Sequence, residues 1–400
     1  MANFMFVVPP FFGHISPTLS VGADLLARGH KVVWVGLRQV PDEFIPAGGQ
    51  FIVPPATREA HGEEIERILK RQDDGPSLSG AEGLKMAFEE TYLPFCRFLM
   101  KGLPAIVDQF QPDVLINDCI AFAGGICAYQ KGIPYVTSTP VPPDVLKNID
   151  KMPRILQWQQ GLLSALLDEY GIPEGEAALH SGRMNMVFTS KEFAGIPDPP
   201  PHMKFVGPVK GRPDHTPFDW DRLQTMKGPR ILVSLGTLLV DVRKDFFKKM
   251  VQAFAHQPLN FIAATDPNIL DEWPPNFLAQ SYVPQSRLMQ QVSAVICHGG
   301  FNTVNDAILN ALPILITPIA YDHFHTASLV EAAGCGLQLR YKRMRIDDLK
   351  AAVWKLLENE KYRLGAARQR NHFLAAGGNE KAVAHLEEVA ATSRMQTPAA

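Results

Sequence analysis

Short apolar runs that end in a loop and pass straight into a helical pattern recur along this chain, and they restrict its fold more than any other feature. The first covers residues 4–8. It is followed by Pro9-Pro10-Phe11-Phe12-Gly13-His14, an apolar-periodic stretch over 15–28, Gly29, and a second run over 31–35. Such runs read as buried strands, and strand, helix, strand in this order is a parallel βαβ unit. Residues 113–117, 121–130 and 135–138 repeat the pattern, so the N-terminal half is expected to be doubly wound. A second series follows, with strand 230–234, helix 244–255, strands 260–264 and 294–297, helix 302–310 and strand 314–317. Helical patterns then fill 346–358, 361–376 and 379–391.

Between the two series, residues 197–229 are dense in proline, glycine and charge, which is linker composition. A length of 400 residues exceeds one ordinary core and suits two domains. The expected fold class is therefore α/β, with two Rossmann-like, doubly wound parallel-sheet domains facing a central cleft. The bounds are set at 1–206 for the N-terminal domain, 207–228 for the linker and 229–378 for the C-terminal domain. Residues 379–400 are left as a last helix, free to pack back on the N-terminal domain, and a tail. The stretches 61–108 and 144–171 carry large apolar side chains such as Leu84, Met86, Phe88, Tyr92, Phe95 and Phe98, which either wall a pocket or pack on the sheet.

Charge removes one class of partner. Lys and Arg number 39 against 41 Asp and Glu, a net charge of -2, and no block of like charge follows a phosphate backbone, so no nucleic acid is expected. Hydrophobic residues make up 46%, yet no apolar run reaches the roughly 20 residues of a membrane-spanning helix. The start of the chain enters a strand pattern with no signal-peptide features, which makes the cytoplasm the expected location. The five cysteines, an odd number with no Cys-x-x-Cys pair, read as free thiols, mostly in the core.

In open parallel sheets, ligands bind beyond the carboxyl ends of the strands. The C-terminal half presents three such loops: Ser234-Leu235-Gly236-Thr237, His298-Gly299-Gly300-Phe301-Asn302-Thr303, and Pro318 through Asp322-His323. In the middle loop two glycines let the backbone approach a ligand, and Asn302 or Thr303 opens a helix whose free N–H groups attract anions, so a diphosphate fits there with His298 beside it. A plain tight turn is the alternative for Gly299-Gly300. Neither a P-loop nor a dinucleotide fingerprint is present. Asp306, one helical turn beyond Asn302, is placed to accept both hydroxyls of a ribose, or is an exposed helix-face carboxylate.

Tyr282-Val283-Pro284-Gln285, His298-Gly299-Gly300-Phe301-Asn302-Thr303, Asp306 and Pro318 through Asp322-His323, with Gly13-His14 and Asp118 in the N-terminal half, resemble the signature of the family-one nucleotide-sugar glycosyltransferases. These are GT-B enzymes, and the chain looks most like the bacterial macrolide, antibiotic and zeaxanthin glycosyltransferases. The resemblance implies an N-terminal acceptor domain and a C-terminal donor domain. It implies that Tyr282 stacks on the base, that Gln285 and Asp306 serve the nucleoside, and that Val283 and Gly13 belong to the donor site. His298, Gly299, Gly300, Asn302, Thr303 and Thr237 would hold the diphosphate, and Asp322 and His323 would face the transferred sugar. The chain departs from the pattern at Tyr282, where tryptophan is usual, at Asp306, where glutamate is usual, and at His323, where glutamine is usual. An imidazole does not offer an amide's fixed donor and acceptor pair to two sugar hydroxyls.

His14 lies at the mouth of a helix and Asp118 at the end of a parallel strand, so both reach one crevice. A helix N-terminus disfavours imidazolium, which is expected to keep His14 neutral and ready to accept a proton. The expected mechanism has His14 deprotonate an acceptor hydroxyl while Asp118 orients the ring, and the hydroxyl then displaces the nucleotide with inversion. Without these companions, a loop histidine and a helix-capping aspartate are the ordinary readings. The expected partners are a UDP-sugar or TDP-sugar donor and a small apolar hydroxylated acceptor such as a polyketide or carotenoid. The latter would bring the protein to a membrane surface. No cofactor and no metal are expected, since the donor is a co-substrate and His323-Phe324-His325 lacks a third spaced ligand. The competing functions are a nucleotide-sugar epimerase, a non-catalytic binding protein on the same scaffold, and a nicotinamide-dependent oxidoreductase, the last disfavoured by the missing glycine fingerprint.

Overall fold

In the computed structural model, which describes residues 1–74, 80–143, 152–173, 179–209, 216–236, 240–320 and 322–396, each of these apolar runs lies in one of two parallel sheets. The first sheet contains β1 (Asn3–Val7), β2 (Lys31–Val35), β3 (Gln50–Ile52), β4 (Val114–Asp118), β5 (Tyr135–Thr139), β6 (Asn185–Val187) and β7 (Met203–Phe205), in the spatial order β3-β2-β1-β4-β5-β6-β7. The second contains β8 (Arg230–Ser234), β9 (Asn260–Ala264), β10 (Phe277–Gln280), β11 (Ala294–Cys297), β12 (Ile314–Ile316) and β13 (Gly336–Gln338), in the order β10-β9-β8-β11-β12-β13. All pairings are parallel. Each sheet starts at its centre, grows to one edge and then reverses, which places a switch point between β1 and β4 in one lobe and between β8 and β11 in the other.

The strands are apolar throughout because both faces are covered. In the first sheet Met5, Val7, Val33, Val35 and Leu115 pack under the helices that follow β3 and β4, while Phe4, Phe6, Val32, Trp34, Val114 and Ile116 pack on the other face. That other face is closed by the Phe12–Ala27 helix and by Ala382, Val383 and Leu386 of the C-terminal helix Gly378–Gln396. The second sheet alternates likewise, with Leu232, Ile262 and Val295 on one side and Ile231, Val233, Phe261 and Ile296 on the other. Met86, Phe88, Phe95 and Phe98 are buried in the core against the first sheet, which is the packing alternative of the sequence reading, while Leu84 and Tyr92 are half-buried.

The structure adds elements that periodicity did not reveal. β3, β6, β7, β10 and β13 are three or four residues long and each includes a polar residue or a glycine, so none forms the continuous apolar run that marked β12. A six-residue helix, Trp220–Thr225, lies within the stretch read as linker. The chain passes between lobes twice at one place. The Gly378 N–H donates to the Val206 carbonyl at 2.6 Å, and a Cβ on Gly207 would stand 2.7 Å from the Phe373 carbonyl oxygen. Among the described residues no helix is long and apolar enough to cross a membrane.

Aromatic packing and two asparagine hydrogen bonds join one lobe to the other. Phe193, 2% exposed, leaves the first lobe to pack on Phe301 and Phe373 at ring distances of 6.3 and 5.5 Å. Asn305 Nδ2 donates to the Phe188 carbonyl at 3.1 Å, and Asn302 Nδ2 donates to the Gly13 carbonyl at 2.8 Å. Burying a phenylalanine contributes about 1.5–3 kcal/mol, against about 0.5–1.5 for a net hydrogen bond. Phe193 therefore holds the junction, and the two asparagines set its register.

Candidate active site

The two switch points face each other. On the first, His14 is the third residue of the Phe12–Ala27 helix and Asp118 is the last residue of β4. His14 Nδ1 lies 3.0 Å from both carboxylate oxygens of Asp118. The Ile120 N–H donates to Asp118 Oδ1 at 3.0 Å, so the carboxylate is held from its own loop as well. Asp118 is fully buried, whereas the His14 side chain keeps 16% exposure toward the cleft.

This geometry corrects one expectation. The helix N-terminus was expected to keep His14 neutral, but its pKa stands above the ordinary value. Burial pulls it down, and the Asp118 charge, the hydrogen bond to Asp118 and the charge of Asp322 together outweigh burial. A full carboxylate in contact is a stronger influence than the partial charge of a helix end.

Asp322, immediately before the His323–Ala332 helix of the second lobe, feels His14 across the cleft. Burial pushes its carboxyl up to about 6 while the His14 charge works to lower it. His323 is buried, and its Nδ1 accepts the Ala320 N–H at 3.3 Å, so in the neutral ring the proton sits on Nε2. Its ring meets that of His298 edge to face at 4.5 Å. Burial holds His323 well below the ordinary range and lowers His298 to about 4. His298 Nδ1 lies 3.4 Å from the Ser234 carbonyl, bridging β11 to β8 across the second switch point.

Two glycines make room for that imidazole. A Cβ on Gly300 would stand 2.6 Å from His298 Nε2, and one on Gly236 would stand 2.9 Å from Cε1. Gly236 and Gly299 also adopt left-handed backbone, with φ of 74° and 101°. Gly236 was not among the residues selected from sequence, and its signal was only the position after β8. The helix expected to begin at Asn302 or Thr303 begins at Phe301, with Gly300 as its cap and no side chain capping it. Its first N–H groups therefore have no capping side chain. Thr303 and Asn302 occupy this first turn, and Asn302 reaches across to Gly13.

Gln285 Nε2 donates to Asp306 Oδ2 at 2.9 Å, which joins the two residues assigned to the nucleoside. Burial raises the Asp306 carboxyl to about 6, and the Gln285 bond works to lower it. Val283 is half-buried, while Tyr282 is 74% exposed with its ring free to meet a flat ligand. Thr237 and Tyr321 lie outside the described residues.

Sequence reasoning missed Cys119, which adjoins Asp118. Among the five free cysteines the other four are buried and Cys119 is half-buried. Burial and then the Asp118 charge push its thiol well above the ordinary range. Phe11 packs between the site and the apolar core, 6.1 Å from the His14 ring and 6.3 Å from Phe95.

Residues 250–389 match the erythromycin biosynthesis protein CIII-like C-terminal domain. Along nearly the whole chain there is similarity to NDP-glycosyltransferase YjiC of Bacillus subtilis (strain 168), 24% identical over 94% of this chain and 95% of the relative. The 4'-demethylrebeccamycin synthase of Lentzea aerocolonigenes is 24% identical over 96% and 99% of the two chains. The zeaxanthin glucosyltransferase of Pseudescherichia vulneris is 24% identical over 98% and 99%. Among solved structures, the kitacinnamycin glycotransferase superposes with a TM-score of 0.76 at 22% identity, covering 97% of this chain and 99% of that one. The glycosyltransferase VinC, solved in complex with dTDP, gives 0.72 at 18% identity, over 98% and 100%.

Proposed function

We propose that this chain, which shares the fold of the solved glycosyltransferases and is similar to glycosyltransferases along nearly its whole length, is a GT-B glycosyltransferase that transfers a hexose from a UDP-sugar or TDP-sugar to a hydroxyl of a small apolar acceptor, with inversion. The observation that carries the reading is the His14–Asp118 pair, with Nδ1 3.0 Å from both carboxylate oxygens and the ring opening on the cleft. With Nδ1–H donated to Asp118, Nε2 carries the lone pair and accepts the acceptor's proton as the oxygen attacks the anomeric carbon. Asp118 then faces the imidazolium that forms and stabilises it. An apolar acceptor suits the Phe11 ring beside the base.

On the donor side, the Gly300-capped helix points unpaired N–H groups toward the position of a diphosphate. His298, neutral in its buried setting, donates through Nδ1 to Ser234. The negative charge of an arriving diphosphate draws a second proton onto Nε2, so both nitrogens then donate, and the leaving group's growing charge is met without a metal. Asp306 and Gln285 act as one unit on the nucleoside, with Tyr282 stacking on the base. Asp322 and His323 face the sugar. The dTDP held by VinC supports keeping TDP beside UDP as the donor nucleotide.

The test is a donor panel with mass-spectrometric detection of product against polyketide, flavonoid and carotenoid alcohols, run for the natural chain and for His14→Ala. Glycoside formation that falls at least about a hundredfold in His14→Ala, the lower end of what general-base catalysis contributes, supports the assignment. Near-normal transfer to a neutral alcohol by His14→Ala refutes it. A rearranged donor without glycoside would instead mark an epimerase.

A further inference from the structure

The transfer chemistry leaves one group at the catalytic switch point unused, the thiol of Cys119. Its sulfur, a ring nitrogen of His14 and a carboxylate oxygen of Asp118 all lie within 4.8 Å of one another, and Nδ1 is the ring nitrogen 3.0 Å from Asp118. Asp118 and the Thr139 hydroxyl both lie against the sulfur. His14 and Cys119 are each partly exposed. A nitrogen, a carboxylate oxygen and a sulfur converging on one point is a zinc donor set, whereas Mg²⁺ and Ca²⁺ take oxygen ligands. A tetrahedral zinc ion, with bonds of about 2.0–2.3 Å, holds its ligand atoms about 3.3–3.6 Å apart. The 3.0 Å His14–Asp118 pair would open by a few tenths of an ångström, and the sulfur would close by about 1.2 Å at most.

We propose that His14, Asp118 and Cys119 form a zinc-binding site whose occupation switches the transferase off. Binding places zinc on Nδ1, on the Asp118 carboxylate and on the Cys119 thiolate, with the fourth position open to the cleft. The thiol proton leaves to solvent, and the ring proton that Nδ1 gave to Asp118 moves to Nε2. The carboxylate and the thiolate together neutralise the dication, which suits a site with little access to water. With Nε2 now an N–H, the ring has no lone pair for the acceptor's proton. The inhibitory consequence rests on the reading of His14 as the base, while the site itself does not.

The experiment uses the full chain, stripped with a chelator, and has two readouts. Zn²⁺ is titrated in competition with a chromophoric chelator, and Co²⁺ is added in parallel while the thiolate-to-cobalt charge-transfer absorption is followed. Transfer is then measured at each zinc level, for the natural chain, Cys119→Ser and Cys119→Ala, each against its own metal-free rate. The expected result is one equivalent of metal, a cobalt–thiolate absorption that both variants lose, and a zinc Kd raised at least about tenfold in each, the lower end of what disturbing even an outer ligand partner costs. Zinc should inhibit the natural chain, EDTA should restore it, and both variants should resist. Absence of the cobalt–thiolate absorption, or equal zinc affinity in all three proteins, overturns the proposal. Metal bound with that absorption while transfer runs unimpaired upholds the site and overturns instead the base assignment of His14.

Discussion

Asp118→Asn tests whether the catalytic ring works through its tautomer. The substitution keeps size and shape at a fully buried position and removes only the charge and one acceptor. The Ile120 N–H donates to Oδ1, so the amide oxygen of the substituted side chain keeps that place and the amide nitrogen takes the place of Oδ2. Oδ2 lies 3.0 Å from His14 Nδ1. An N–H donor now faces Nδ1 beside the amide oxygen at the same 3.0 Å, and it competes for the tautomer in which Nδ1 carries the lone pair and Nε2 the proton, the wrong one for a base. The corresponding change in a Ser-His-Asp triad lowers kcat about 10⁴-fold. For this chain we expect kcat/KM to fall about 10³–10⁴-fold, or about 4–5.4 kcal/mol of transition-state stabilisation. Donor binding, measured by calorimetry with the nucleoside diphosphate, should be nearly unchanged, because the affected nitrogen is on the acceptor side. The assay is initial-rate glycoside formation, with thermal unfolding as the check on folding. A fall of less than about tenfold would show that tautomer control by Asp118 is not part of the mechanism.

Three further outcomes are expected. Gly300→Ala places a Cβ 2.6 Å from His298 Nε2 and pushes the ring off the diphosphate position, so the Kd for nucleoside diphosphate should rise at least about tenfold, the scale of one charge-assisted hydrogen bond; an unchanged Kd in calorimetry removes His298 from donor binding. The Asp306 carboxyl is raised from 3.8 to about 6, so the donor KM should climb as pH falls below about 6 and the carboxylate protonates, and Asp306→Asn should flatten that profile. The same raised value means the folded chain binds a proton that the unfolded chain does not between those two pH values. This group's contribution to stability is therefore present at low pH and lost as pH rises through about 6, a trend that melts of Asp306→Asn should lack. His323→Gln replaces a ring with Nε2–H by an amide, and the preference among epimeric sugar donors should shift about 2–10-fold, the value of one hydrogen bond; unchanged preference in the donor panel clears His323 of selectivity.

Much of this protein was legible before folding. The two series of apolar runs were placed to within a residue or two, because a strand buried on both faces must be apolar throughout and the helix after it must change period. The loops that carry ligands were legible for the same reason, since in a parallel sheet the strand's C-terminal end is where backbone groups are left open. What stayed hidden has a common cause, in that it depends on residues far apart in the chain. Gly236 matters because His298, 62 positions later by numbering, needs the space beside it. Asn302 joins Gly13 across the lobes, a relation with no periodicity to betray it. Cys119 read as one more core thiol until the switch point set it beside His14 and Asp118.

The charge state of the base divides the two levels most clearly. From sequence, His14 at a helix mouth was expected to be held neutral by the helix end. The fold brings in a buried carboxylate at contact distance and a second one from the facing lobe, and their full charges move its pKa the other way. The sequence by itself determined the kinds of element, their order and the residue types at each strand end, since these follow from local periodicity and backbone chemistry. Only the tertiary structure decided which of those ends meet, and with that the protonation, spacing and shared ligands of the site, because electrostatics depends on distance in space.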